Sequence, residues 1–226
     1  MRNLKKWLRW ILVVVLVVVG LALVFNEQLK EFTSNLMSEH ANNQKIEQVT
    51  SADKKRATFN YSDVQAANIK NLLNALHSDS GVIGKIAVPA VKVHLPIFYG
   101  VTDENLMRGA GTMKPHEKMG EVGNYALAGH HMMNSRILFG PLMKVKNGDH
   151  IYLTDGKKVY TYRVYSHKII SMYDVKVVND VPGKKICTLI TCSSGVPGVK
   201  HRLVVHGKLI HVKRANDRSL AVFVKK

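Results

Sequence analysis

Cysteine is nearly absent from this chain of 226 residues: Cys187 and Cys192 are the only two. They sit in Ile186-Cys187-Thr188-Leu189-Ile190-Thr191-Cys192, a run of β-branched and apolar residues that fits a strand. On a strand their separation is roughly 16 Å, at about 3.3 Å per residue, and the odd spacing points the two side chains to opposite faces. A disulfide needs Cα atoms within about 7 Å, so both are expected to stay thiols. Acidic residues are also scarce, 16 against 33 Lys and Arg, for a formal charge of +17. That excess favours anionic partners. No zinc finger or aromatic-rich sheet signature supports nucleic acid as one of them. The sequence lacks C-x-x-C and H-E-x-x-H, which argues against a zinc site. It has no internal repeat.

Long apolar runs are limited to one. Trp10 to Phe25 carries no charge, and Trp7, Leu8 and a snorkelling Arg9 extend it towards the roughly 20 residues a membrane span needs. Arg2, Lys5 and Lys6 precede it, which predicts a cytoplasmic N-terminus (1–6) and export of the remainder of the chain. The run is not succeeded by an A-x-A-like site, so 7–25 reads as an uncleaved transmembrane anchor rather than a signal peptide.

Residues 26–61 are polar and read as a stalk or linker, in part helical. Residues 62–80 read as an amphipathic helix opened by the capping box Ser62-Asp63-Val64-Gln65, with Ala66, Ile69, Leu72, Leu73 and Leu76 at helical spacing. From 81 to 212 the period becomes two. Val91, Val93, Leu95 and Ile97 alternate with Lys92, His94 and Pro96, and Asp155-Gly156 marks a hairpin. Thr102 to Leu106 and Gly140 to Met143 read as short helical turns. Many short strands without long intervening helices make the domain all-β, a barrel or a sandwich. Residues 213–226 form a basic tail, expected to be frayed or near the membrane.

After Cys192 the chain breaks at Ser193-Ser194-Gly195-Val196-Pro197-Gly198 and resumes at Arg202-Leu203-Val204-Val205. Two strands joined this way are expected to run antiparallel, with Cys192 near Arg202. A thiol ordinarily titrates near about 8.5, so a nucleophilic role requires a base or a cation beside it. The plain alternative is a buried structural cysteine and a surface arginine. Of the 11 histidines, His130 and His131 stand out because they come directly after Tyr125-Ala126-Leu127-Ala128-Gly129, an apolar run ending in small residues. On a strand only one of two adjacent residues would face the thiol, and the spacing leaves open which. The segment from His167 to Gly183 reads either as a cover for a bound peptide or as a plain surface connection.

A-L-A-G-H at 126–130, T-L-I-T-C at 188–192 and R-L-V-V at 202–205, with I-A-V-P at 86–89, resemble the signature segments of the sortases. The anchor and stalk resemble the class A, housekeeping type. The resemblance runs from about 81 to 210 and implies a closed, eight-stranded β-barrel with short helices. It makes Cys192 the nucleophile, chooses His130 over His131 as the catalytic histidine, and completes the set with Arg202. The implied reaction cuts an L-P-x-T-G-like sorting signal of an exported protein between Thr and Gly, through a Cys thioester. The protein then passes to an amine of a cell-wall precursor, the lipid II of peptidoglycan, on the outer face of a Gram-positive cell membrane.

Some class A members bind calcium in the loop before the histidine segment. Here that loop reads M-K-P-H-E-K-M-G-E-V, basic residues among Glu117 and Glu121. No cofactor and no metal is therefore expected, and calcium activation is not. The rival readings are a cysteine peptidase that releases the cleaved protein to water, and a non-catalytic, membrane-anchored wall-binding domain. An L,D-transpeptidase is disfavoured by the missing S-H-G-C type motif.

Overall fold

Period-two alternation becomes a closed wall. In a computed structural model, which describes residues 2–60, 64 and 67–224, the strands are β1 (Gly84–Val88), β2 (Val93–Phe98), β3 (Ala110–Thr112), β4 (Gly123–Ala128), β5 (His150–Thr154), β6 (Lys158–Ser171), β7 (Lys185–Cys192) and β8 (His201–Arg214). They pair in the order β1-β2-β3-β4-β7-β8-β6-β5, and β5 closes on β1. The β2–β3 and β4–β7 pairs are parallel and the rest antiparallel. One face of each strand fills the barrel: Ile86, Ile97, Leu127, Ile151, Leu153, Tyr162, Cys187, Leu189, Leu203 and Val205 form one buried cluster. Each large side chain so buried stabilises the fold by about 1.5–3 kcal/mol. Cys187 thus points into the barrel and Cys192 does not, and neither forms a disulfide.

The alternation starts later than the sequence pattern indicates. Pro89–Val91 is a 3-10 turn that reverses the chain through Lys92 at φ 58°, so Val91 precedes the strand. The predicted hairpin joins β5 to β6 through Gly156 at φ 82°, a conformation that costs glycine little.

Outside the barrel, helix α1 (Arg2–Val24) leads into α2 (Asn26–Asn42), and the further helices are α3 (Ser51–Arg56), α4 (Ile69–Leu76), α5 (Asp103–Arg108) and α6 (Asp217–Leu220). Among the described residues no single helix is long and apolar enough to cross a membrane. Trp10–Leu21 and Asn26–Asn42, bent 70° apart, meet that test only as a pair.

The polar stalk expected over 26–61 is instead a packed layer. Lys30, Ser34, Ser38, Ala41 and Asn42 form the buried side of α2. Ser34 Oγ donates to the Met107 carbonyl at 2.6 Å, and Asn42 Nδ2 donates to the Phe223 carbonyl at 3.0 Å. Its hydrogen bonds come from small polar side chains, and its apolar contacts are limited to Ala41, clustered with Val82 and Phe98, and Met37 against the main core, so no long apolar stripe announces it. Of the predicted capping box, Ser62, Asp63 and Gln65 lie outside the described residues. The described helix α4 is capped instead by Asn68, whose side chain accepts from the Asn71 amide at 2.9 Å. The 213–226 tail also departs from expectation: β8 continues to Arg214, α6 comes next, and Phe223 is buried against Ala87 and Val159.

Candidate active site

β7 and β8 are antiparallel neighbours, and their register sets Cys192 directly opposite Arg202. β4 lies on the other side of β7, parallel to it, with Ala128 opposite Ile190. The backbone pairing extends one step beyond β4, where the Gly129 amide donates to the Ile190 carbonyl at 3.1 Å. Thr191 Oγ1 then donates to the Gly129 carbonyl at 2.8 Å. The residue before Cys192 is therefore bonded to the residue before His130. Two glycines let the chains approach this closely. A Cβ on Gly129 would strike the Phe139 ring, and one on Gly195 would collide with the Met132 backbone.

His130, His131, Cys192 and Arg202 line one open cleft of about 610 Å³. β4 ends at Ala128, so strand alternation no longer applies to the two histidines, and both reach the cleft rather than only one. They are held differently. His131 Nδ1 lies 2.8 Å from the Cys192 carbonyl. A carbonyl only accepts, so His131 carries its proton on Nδ1. His130 is buried, its Nε2 has no hydrogen-bond partner among the described residues, and its backbone carbonyl accepts from the Phe139 amide at 3.0 Å. Burial pushes the His130 imidazole down from its ordinary 6.5 to about 4, so the ring is neutral at pH 7. Arg202 Nη1 donates to the Val199 and His201 carbonyls at 2.8 and 3.1 Å, which braces the guanidinium against the β7–β8 loop. A thiol, a neutral imidazole and a permanent cation can supply a nucleophile, a proton carrier and an oxyanion donor for acyl transfer through a covalent sulfur intermediate.

Two loops frame the cleft. One joins β7 to β8, with Ser194 to Lys200 on its rim; the other comes after β6, with Met172 and Tyr173. The latter segment, singled out from sequence as His167 to Gly183, begins as strand: β6 runs to Ser171. The remainder is tied to β4. Asn124 Nδ2 donates to the Val177 and Asn179 carbonyls at 3.1 and 3.3 Å, and its amide donates to Asp180 Oδ1 at 2.8 Å. Lys114 reaches across to Asp180 at 2.6 Å from the loop before β4.

Glu27 and Lys30 of α2, with Val64 and Ala67, also line the cleft. Sequence reasoning missed this contribution. The one signal for it was the recurrence of Lys30, Ser34, Ser38 and Ala41 at helical spacing.

A family model described as Sortase domain matches residues 86–210. Sortase A of Streptococcus agalactiae is 37% identical over 243 residues, covering 100% of this chain and 98% of that protein. Sortase A of Listeria monocytogenes is 39% identical over 203 residues, covering 87% and 89%. The solved structure of the Listeria monocytogenes sortase A superposes with a TM-score of 0.60 at 42% identity, covering 63% of this chain and 97% of that one. With the barrel, the cleft and its cysteine in the register described, these likenesses place the chain in the sortase family, as a class A sortase, a cysteine transpeptidase that anchors proteins to the cell wall.

Proposed function

We propose that Cys192, His130 and Arg202 carry out this transpeptidation on an L-P-x-T-G-like sorting signal. The observation that carries the assignment is the shared cleft, in which Cys192 faces Arg202 across the β7–β8 ladder and His130 is neutral with an uncommitted nitrogen. The Cys192 sulfur attacks the Thr carbonyl while its proton passes to His130. The imidazolium gives that proton to the leaving Gly amine, the Thr–Gly bond breaks, and a thioester remains. An amine of the cell-wall precursor then attacks the thioester. His130 takes the amine proton and returns it to the departing sulfur. Arg202 holds the oxyanion of both tetrahedral intermediates, a role typically worth about 3 kcal/mol per donor. His131 is committed to the Cys192 carbonyl, which favours His130 for the proton transfers.

No calcium takes part in this reading. The position before β4 where an acidic site would lie holds a cation already: Lys114 Nζ stands 2.6 Å from Asp180 and 4.0 Å from Glu117. The residues present do not fit a calcium ion. The loop clamp that a metal would provide is supplied by the ammonium group.

The chain is read as membrane-anchored through α1, with its N-terminus cytoplasmic and the barrel outside. Trp7 to Val24 of α1 spans about 27 Å at about 1.5 Å per residue, close to the roughly 30 Å of a hydrocarbon core. Trp7 and Trp10 stand exposed at one end and Phe25 at the other, where interfacial aromatics belong.

Incubation of the full chain with a sorting peptide and an amine, with the products identified by mass, tests the assignment. The wild type is expected to give a thioester adduct on Cys192 and a transfer product. Cys192→Ala is expected to give neither, and a retained adduct would remove Cys192 from the role of nucleophile.

A further inference from the structure

Helix α2 has two unlike sides. At about 100° per residue, Lys30, Ser34, Ser38 and Ala41 share the side buried on the barrel. On the opposite side Leu29, Phe32 and Leu36 recur at helical spacing, with Phe25 just before the helix at the same angle. All four are strongly exposed, at 55, 63, 48 and 54%. Apolar side chains so arranged on one outer face mark a surface that something else covers. Helix α4 packs beside α2 and carries a stripe of its own, with Ile69, Leu73 and Leu76 each about half exposed.

The continuity of α2 with α1 identifies the cover. Only Phe25 separates the two helices, and their axes diverge by 70°. If α1 stands near the membrane normal, α2 leaves it almost in the membrane plane. The barrel occupies one side of α2, so the other side, with its apolar stripe, meets the bilayer surface. A helix with one polar and one apolar side lying in that plane is the ordinary geometry of interfacial binding.

We propose that α2 is an interfacial helix, with Phe25, Leu29, Phe32 and Leu36 seated in the headgroup–acyl boundary of the outer leaflet. This inference rests on the membrane-anchored reading of α1. Its consequence concerns the cleft. Glu27 and Lys30, in the first turns of α2, line the same cleft as Cys192. The interfacial helix therefore fixes the catalytic cleft beside the bilayer surface, within reach of an amine carried on a lipid.

Depth-dependent fluorescence quenching in phosphatidylcholine vesicles separates the two readings. In the full chain with Trp7 and Trp10 replaced by Phe, one tryptophan is introduced by Phe32→Trp and, in a second protein, by Val15→Trp. Lipids brominated high on the acyl chain are expected to quench the Phe32→Trp protein at least about 2-fold more than lipids brominated near the bilayer centre, and the Val15→Trp protein is expected to show the reverse order. Quenching of the Val15→Trp protein alone would leave the anchor standing and overturn the interfacial helix. Quenching of neither would overturn the anchor and the interfacial helix with it. A Phe32→Trp fluorophore untouched by bromine, but shielded from aqueous iodide in proportion to protein density, would assign the stripe to a second copy of this chain and overturn the lipid assignment.

Discussion

His131 and His130 are chain neighbours with opposite commitments. The first spends its Nδ1 proton on the Cys192 carbonyl, and the second is buried, neutral and, among the described residues, without a partner at Nε2. Removing a proton-transfer group typically costs about 10²–10⁴ in rate, whereas removing one neutral hydrogen bond costs about 1 kcal/mol, or roughly 5-fold. His130→Ala is therefore expected to lower kcat/KM for peptide transfer by at least about 100-fold, and His131→Ala by about 10-fold or less. Steady-state kinetics on both variants checks this, and the reverse order would exchange the roles. Glu117 offers a second residue-scale test. Desolvation raises its carboxyl from 4.5 to about 8, against the Ala126 amide that donates to it at 2.8 Å. In the folded protein it therefore holds a proton at pH values where the unfolded chain has lost one. The stability it contributes is complete below about pH 4.5 and is lost as pH rises through about 8. Glu117→Gln keeps an acceptor for the amide without the charge. It is expected to raise Tm by several degrees at pH 8.5, at about 2–4 °C per kcal/mol for a domain of this size, and to change it little at pH 4.5. Calorimetry at the two pH values decides.

Among elements, the segment after β6, whose first residues frame the cleft, is held by polar ties. Lys114, Asp180 and Asn124 join the segment before β4, β4 itself and the segment after β6. Because an ammonium group performs this clamping, chelation of the wild type is expected to leave peptide transfer unchanged. Lys114→Ala, with the clamp removed, is expected to raise KM for the peptide several-fold with a smaller change in kcat. Initial rates with and without a chelator measure both effects, and a large loss on chelation of the wild type would overturn the calcium-free reading. These ties are not legible in the sequence. Basic residues in Met113 to Val122 are visible there, but their partner Asp180 lies 66 residues from Lys114. Helix α2 escapes for a related reason. Apart from Ala41, its buried side is Lys30, Ser34, Ser38 and Asn42, residues whose hydropathy is that of a linker.

For the whole molecule, the exposed faces of α1 and α2 set how the barrel meets its surroundings. Leu29→Gln, Phe32→Gln and Leu36→Gln combined remove the apolar stripe without touching the buried side of α2. In vesicles, transfer to an amine displayed on a lipid is expected to fall about 10-fold, while transfer to the same amine in solution changes less than about 2-fold. Equal effects on both acceptors would mean the stripe serves folding rather than placement.

Sequence alone determined the features that depend on neighbours along the chain. These are the period-two strands, the Asp155-Gly156 hairpin, the single apolar run near the N-terminus, and thiols at Cys187 and Cys192 too far apart and too differently directed to pair. The resemblance of its signature segments to the sortases also singled out Cys192, His130 and Arg202. Only the tertiary structure decided that both histidine rings enter the cleft, that His131 is bonded to the Cys192 backbone, that α2 is a wall of the same cleft, and that Lys114 ties the segment after β6 to the one before β4. Each depends on contacts between residues tens of positions apart. Barrel closure fixes those contacts, and local periodicity carries no record of them.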